Sequence, residues 1–162
     1  DAYAETQTIA VAMLQVDSDW TTVTALRLTG QVRASAAARP ALMVMALDGK
    51  TPVGMHESVT QAAAVGEWVT HTAEVPLKGV ADRVFVGLEA IGQGAVGFDE
   101  LVLEARGADG AWTRVPLADG GFEEGTAGWE VVDRAAGELS VGEGGPAGSH
   151  HAELKTGAAS AE

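Results

Sequence analysis

The chain has 162 residues, of which 46% are apolar and 5% aromatic, and its 23 acidic residues outnumber 10 basic ones to give a formal charge of −13. This length fits one domain of roughly 100–150 residues, or one domain and part of another, and the charge disfavours nucleic acid as a partner. The absence of cysteine excludes disulfides and thiolate metal sites, and the apolar runs Ile9–Leu14 and Ala41–Leu47 are far shorter than the ~20 residues of a membrane-inserted helix.

Alternation of period two predicts β-strands from the beginning of the chain. In residues 8–16, Ile9, Val11 and Met13 alternate with small alanines, and the apolar pattern continues at Leu14 with its phase shifted. Residues 26–33 alternate apolar with polar side chains, which predicts a strand with one face in the core and one in water. The apolar run Ala41–Leu47 is followed by the turn dipeptide Asp48-Gly49, as expected for a strand covered on both faces.

Further strands are predicted at residues 68–75, 83–90 and 96–103. The apolar phase changes at Asp99-Glu100, which predicts a β-bulge inside the last of them. Residues 57–66 carry no apolar stripe, so we expect a loop there, as in the turn-rich segment 48–54. Short strands separated by turns at intervals of roughly 8–15 residues predict an all-β, antiparallel jelly-roll β-sandwich.

The composition changes after Arg106, where glycine, glutamate and alanine begin to dominate. We therefore divide the chain into a main sandwich, residues 1–106, and a C-terminal β segment, residues 107–162. At ~25 cal/mol per Å² of buried apolar surface, the few apolar side chains of this segment cannot offset an ordering cost of ~1–2 kcal/mol per residue. The C-terminal segment must therefore dock on another surface.

Several stretches resemble a known fold family. Residues 66–76, 83–88 and 92–104 resemble the second half of a galactose-binding-like jelly roll, the fold of many carbohydrate-binding modules. Residues 120–129, 137–141 and 148–154 resemble the opening of such a module. The combination is similar to the non-catalytic region that precedes the peptidase domain in some bacterial tail-specific serine peptidases. The Ser and Lys motifs of that peptidase domain are absent from this sequence, so the resemblance implies no peptidase activity.

The two halves of the resemblance stand in reversed order, because the family begins with the Phe-Glu strand and ends with the acidic strand. The C-terminal segment would then complete a sandwich either in its own chain or in a neighbouring copy, unless the chain is a fragment of a larger protein. Docking on a neighbour is a head-to-tail contact that builds an open filament. The side chains expected to make this assembly contact are Phe122, Trp129, Val131, Leu139, Val141 and Leu154.

The resemblance also implies a calcium site. Asp99 and Glu100 stand where related jelly rolls place carboxylates near a structural calcium, and Glu123 belongs to the Phe-Glu motif that contributes to the same site. Calcium takes six to eight oxygen ligands, which carboxylates and the carbonyls of glycine-rich turns can supply. The alternative is an acidic surface pair on a very acidic protein.

The tryptophans and histidines offer few further sites. Trp20 follows a polar turn and is expected to be exposed and to contact a glycan, whereas Trp68, Trp112 and Trp129 are expected in the core. The adjacent pair His150-His151 cannot bind one metal ion from a strand, because neighbouring side chains point to opposite faces. The sequence contains no nucleophile elbow and no phosphate-binding loop, so we expect no enzymatic activity.

These expectations combine into one functional prediction. The chain opens with Asp1-Ala2-Tyr3 and shows no signal peptide, so we interpret it as the mature form of an extracellular or cell-surface protein. We expect a non-catalytic structural subunit that forms a homo-oligomer or homopolymer, with a filament built by strand donation. The alternative is a carbohydrate- or peptide-binding accessory module of a larger secreted enzyme.

Overall fold

The structure is a computed structural model that describes residues 8–59, 65–117, 122, 128–132, 137–143 and 150–156. No helix long and apolar enough to cross a membrane occurs in this part of the chain. The described residues form strands β1 Ile9–Val16, β2 Ala25–Arg33, β3 Ala38–Asp48, β4 Thr51–Val59, β5 Trp68–Pro76, β6 Arg83–Gly92, β7 Ala95–Arg106, β8 Trp112–Val115, β9 Glu130–Val131, β10 Gly137–Glu143 and β11 His150–Thr156.

The strands form two antiparallel sheets that pack face to face. Sheet A has the order β4-β3-β6-β1-β9, and sheet B has the order β10-β11-β7-β2-β5 with β8 beside the C-terminal half of β7. The core between the sheets contains fully buried Leu42, Leu88, Leu28, Leu103 and Phe98. Each such side chain contributes about 1.5–3 kcal/mol through burial. The predicted all-β antiparallel sandwich is confirmed.

Two local predictions for sheet A are wrong. The segments expected as turn and loop, 48–54 and the beginning of 57–66, contain β4, which lies at the sheet edge where Pro52 needs no partner for its missing N–H. The predicted phase shift in β1 is also absent, because Ala10, Ala12, Leu14 and Val16 all face the core. The larger residues Ile9, Val11 and Met13 therefore face outward.

The predicted bulge in β7 is present. The register between β2 and β7 shifts between Thr29 and Gln31, opposite Asp99–Val102. Glu100 has φ 52°, and the Asp99 carboxylate oxygen Oδ1 accepts the Glu100 N–H at 2.8 Å. The extra residue lets Phe98 and Leu101 both point into the core, which produces the phase change seen in the sequence.

The C-terminal strands pair with the sandwich of their own chain. β9 extends sheet A beside β1, and β11 pairs with Ala95–Phe98 of β7 and carries β10 at the edge of sheet B. Phe122 and Leu154 are fully buried, and the rings of Phe122 and Trp129 lie 5.9 Å apart. Val131 and Leu139 pack against the same core, whereas Val141 is largely outside it. In this structure the segment therefore docks in cis.

Candidate functional site

The outer face of sheet B is polar, as expected for a sheet surface in water. Arg27 on β2 forms an ion pair with Glu104 on β7, with Nε and Oε1 2.9 Å apart. On the other side of β2, Gln31 donates a hydrogen bond to the Thr70 hydroxyl at 2.6 Å. These cross-strand pairs satisfy their own hydrogen-bonding groups, so this face needs no covering partner.

The outer face of sheet A is apolar. We call it the methionine face, because all four methionines of the chain lie on it. Ile9 and Met55 are 44% and 55% exposed, and Val132 beside β9 is also exposed. Ala41, Met43 and Ile91 on this face are buried, whereas Val11, Met13, Met45 and Phe85 are partly exposed. Exposed apolar side chains grouped on one side of a sandwich can mark a site where another molecule binds. The face comprises Ile9, Val11, Met13, Ala41, Met43, Met45, Met55, Phe85, Gly87, Glu89 and Ile91.

The registers of four strands bring these side chains together. Met13 on β1 lies opposite Gly87 on β6, and Gly87 lies opposite Met43 on β3. Because Gly87 has no side chain, the Met43 side chain extends over it, and a Cβ at Gly87 would be only 2.7 Å from the Met43 Cε. The adjacent row contains Phe85 and Met45, with Met55 at its β4 end. The centre of the face is therefore a shallow depression at Gly87, which the flexible Met43 side chain fills.

Glu89 places a carboxyl group within this apolar surface. It lies on β6 between Val11 and Ala41, and the residue is only 7% exposed. Burial, a hydrogen bond with Glu57 and the charge of Glu57 raise the pKa of Glu89 from 4.5 to about 8. At neutral pH Glu89 is therefore largely protonated and donates a hydrogen bond to the Glu57 carboxylate, so it adds little charge to the face.

The tryptophans do not lie where the sequence predicts them. Trp20 is only 4% exposed and belongs to the core, because Asp19 accepts two hydrogen bonds from Thr21 and the resulting turn directs the indole inward. The expected exposure of Trp20, on which its glycan contact depended, is therefore wrong. Trp129 is buried as expected. Trp68 and Trp112 lie half-buried on the outer face of sheet B instead of in the core.

Both outer indoles are covered by arginines. The Arg27 guanidinium lies 4.1 Å from the centroid of Trp112, and that of Arg33 lies 4.7 Å from the centroid of Trp68. His151 packs edge-on against Trp68, and its Nε2 accepts a hydrogen bond from Arg33 at 3.1 Å. Burial and the Arg33 charge lower the pKa of His151, which keeps the ring neutral and able to accept this bond.

The two described residues of the expected calcium site differ in environment. Asp99 is fully buried, whereas Glu100 is exposed, and Glu123 lies outside the described residues. Across the described ranges, no three His, Cys, Asp or Glu side chains are grouped so that they could hold a metal ion together. Calcium binding at Asp99, Glu100 and Glu123 stays a prediction.

Comparisons of this chain with protein-family models, with curated proteins and with solved structures found no match. The resemblance to galactose-binding-like modules therefore stays an expectation from the sequence.

Sequence reasoning did not identify the methionine face, although a signal for it was present. In β1 the odd-numbered residues Ile9, Val11 and Met13 are apolar, and so are the even-numbered residues between them, so both faces of the strand are apolar. The same holds for β3, where Ala41, Met43 and Met45 alternate with the core residues Leu42 and Val44. In a two-layer sandwich only one parity of a strand faces the second sheet, so apolar residues at both parities of β1 and β3 indicate that the outer face of sheet A is apolar as well.

Proposed function

We propose that this chain is a non-catalytic structural subunit of the extracellular space or cell surface that self-associates through the methionine face. One observation carries this proposal: one outer surface of the sandwich is apolar and rich in methionine on a chain with a formal charge of −13. The central parts of protein interfaces are depleted of charge and enriched in methionine and aromatic residues. The methionine face has this composition, and Phe85 supplies its aromatic ring.

The shape of the face favours a protein partner over a small ligand. The face is the broad outer side of a sheet, whereas small ligands bind in concave sites. Methionine side chains adapt to an opposing surface because three rotatable bonds and a polarisable sulfur let them fill irregular gaps. A second copy of the chain would cover the apolar side chains that a lone subunit exposes to water.

Strand donation into a filament is a second route to the same function. The contacts that hold Phe122 and Leu154 in their own sandwich are the ones that a neighbouring copy would offer. Donation therefore requires the C-terminal strands to leave β1 and β7 first. Association through the methionine face requires no such exchange, which favours it as the primary contact.

The carbohydrate-binding alternative has less support. A sugar ring stacks on an open indole face. Trp20 and Trp129 are buried, and an arginine occupies one ring face of Trp68 and of Trp112. A groove of about 620 Å³ runs beside residues 100–102 and 114–117, but its lining contains no aromatic side chain.

Sedimentation velocity over a range of protein concentrations tests the proposed function. We expect the mean mass of the chain to rise with concentration. The double variant Met45→Lys/Met55→Lys should stay monomeric, because two lysines on neighbouring strands would have to be desolvated in the contact. Both positions are at least partly exposed, so the fold should persist.

The matched control is Thr70→Lys/Thr72→Lys, which adds the same charges to the exposed outer face of β5 in sheet B. This control should associate like the parent chain. A parent that is monomeric at every concentration, or a Met45→Lys/Met55→Lys variant that still associates, would show that the proposed function is wrong.

A further inference from the structure

Among the described residues, four charged side chains lie at the margins of the methionine face, and their signs alternate around it. The row through its centre runs across all five strands of sheet A and ends in a glutamate on each side: Glu130, Met13, Gly87, Met43 and Glu57. Arg83 lies on β6 four residues from Gly87, beyond one side of this row. Arg39 lies on β3 four residues from Met43, beyond the other side.

The spacing of these rim charges follows from sheet geometry. Strands advance about 3.3 Å per residue and lie about 4.8 Å apart, so the arginines are roughly 27 Å apart along the strands and the glutamates roughly 19 Å apart across them. The midpoint between the two arginines and the midpoint between the two glutamates both lie near Gly87. A rotation of about 90° therefore brings each arginine to within roughly 4–6 Å of a glutamate position, an offset that the long arginine side chain can span.

We propose that two copies pack methionine face to methionine face with their strands crossed at about a right angle, so that each rim arginine of one copy meets a rim glutamate of the other. This arrangement rests on the proposed function and assigns its contact geometry. The two-fold axis lies in the plane of the interface. It bisects the right angle between the strand direction and the central row of side chains, so there are two such diagonals. The contact is isologous and uses the whole face of both copies, so it closes as a dimer.

The rim charges select the crossed arrangement over an aligned one. If the two-fold axis ran along the strands, Glu57 of one copy would lie over Glu130 of the other and the two Arg83 side chains would meet. If it ran across the strands, each glutamate would meet its own copy and Arg39 would approach Arg83. Aligned packing thus juxtaposes like charges, whereas orthogonal packing, the other common geometry of stacked sheets, juxtaposes opposite ones.

The rim residues are available for this contact. Arg39, Glu57 and Glu130 are exposed. The Glu57 carboxylate accepts a hydrogen bond from Glu89 and has further lone pairs that an arginine can use. Arg83 is partly exposed, and its guanidinium lies 6.0 Å from the Phe85 ring centroid and donates a hydrogen bond to the Gly49 carbonyl at 2.6 Å. The Arg83 side chain is therefore already ordered over the edge of the face, which lowers the entropy lost when it meets a carboxylate.

The size of the face predicts a reversible dimer. The rim charges lie at the ends of two crossing diagonals of roughly 27 and 19 Å, so they enclose roughly 250 Å² on each copy, which is below the about 1,000 Å² in total of a stable specific contact and predicts a weak dimer. Small interfaces of this kind depend on charge complementarity for orientation and specificity. Changes at the rim should therefore alter the dissociation constant by about tenfold or more.

A charge-swap experiment with the full chain tests this geometry. Arg39→Glu/Arg83→Glu makes the rim entirely acidic, and Glu57→Arg/Glu130→Arg makes it entirely basic. We expect each variant alone to dimerise at least about tenfold more weakly than the parent, and an equimolar mixture of the two to form a heterodimer at least as tight as the parent dimer. Sedimentation velocity with one variant fluorescently labelled measures the heterodimer directly.

Arg106→Glu/Arg114→Glu is the matched control, because it makes the same charge change at exposed positions of sheet B. It should dimerise like the parent.

A charge swap within one chain identifies the diagonal that the axis follows. If Arg83 meets Glu57 of the other copy, Arg83→Glu/Glu57→Arg should retain dimerisation. If Arg83 meets Glu130 instead, Arg83→Glu/Glu130→Arg should retain it. Circular dichroism checks that every variant is folded.

The outcomes separate this inference from the proposed function. A parent chain that never self-associates contradicts the proposed function. If the parent associates through the methionine face but the acidic and basic rim variants bind as tightly alone as when mixed, the crossed dimer is wrong and the proposed function stands. Failure of both single-chain swaps to restore dimerisation would also overturn the crossed dimer.

Discussion

Glu89 is the residue whose surroundings differ most from what its type would suggest. A carboxyl group that is 7% exposed and flanked by Val11 and Ala41 is costly to ionise. Its pKa is raised to about 8 by burial and by Glu57, so the folded protein holds a proton there that the unfolded chain releases near pH 4.5. Folding and proton binding are therefore coupled at this position.

This coupling predicts a pH dependence of stability. Between pH 4.5 and about 8 the folded state binds more protons than the unfolded state, so the free energy of unfolding should fall as pH rises through this window and level off above it. Glu89→Gln, which stays neutral and can still donate to Glu57, should remove most of the decrease, at most a few kcal/mol. Urea unfolding at pH 5 and pH 8 measures it.

Glu138→Gln, at an exposed position of β10, serves as the control and should retain the pH dependence of the parent. If the parent and Glu89→Gln lose the same free energy between pH 5 and pH 8, Glu89 is not the group responsible.

At the scale of elements, the C-terminal strands explain how a segment with few apolar residues becomes ordered. β9 and β11 complete sheets that already exist, so each adds backbone hydrogen bonds and buries only a few large side chains. Phe122 is fully buried against Trp129 although its φ of 55° is unfavourable for a residue with a side chain. The free energy from burying this ring must exceed the cost of that backbone conformation.

Phe122→Ala should therefore lower the free energy of unfolding by about 3–5 kcal/mol, the usual cost of removing a buried aromatic ring. Val141→Ala in β10 should cost only about 0.5 kcal/mol, because Val141 is 37% exposed. Chemical denaturation of both variants measures the difference. Equal costs at the two positions would mean that Phe122 does not anchor the segment.

At the scale of the whole molecule, the main question is whether the C-terminal strands stay in their own sandwich in solution. The chain has no cysteine, so an introduced pair has no competitor. Ala95 on β7 and Lys155 on β11 lie directly opposite each other. Opposed Cβ atoms of this kind lie about 4.5–5.5 Å apart, close enough for a disulfide after a small adjustment.

Oxidation of Ala95→Cys/Lys155→Cys at low protein concentration should thus give a monomeric species with an intrachain disulfide on a non-reducing gel. Covalent ladders would instead indicate strand donation between copies. The single variant Lys155→Cys reports the background of random interchain disulfides. Because β7 and β11 belong to sheet B, dimerisation through the methionine face should not change this result.

Much of the fold follows from local patterns. The alternation of apolar and polar residues predicted the bounds of β2, β5 and β6 to within a few residues. The change of phase at Asp99-Glu100 predicted the bulge in β7. β4 was missed because Pro52 and Gly54 are turn residues by propensity, and only its position at a sheet edge permits them. The candidate site was missed because β1 and β3 are apolar at both odd and even positions, so their sequences do not show which face packs against the second sheet.

Local patterns and composition suffice to predict that this chain forms antiparallel strands, where β2, β5 and β6 begin and end to within a few residues, and that its C-terminal segment must dock on another surface, because these properties depend on neighbouring residues. Which apolar face turns away from the second sheet depends on the side on which that sheet packs, and this is visible only in the folded chain. The order β4-β3-β6-β1-β9 likewise brings Arg39, Glu57, Arg83 and Glu130 around one surface, although they are distant in the chain. No local pattern encodes that arrangement, because strand order is set by long-range pairing.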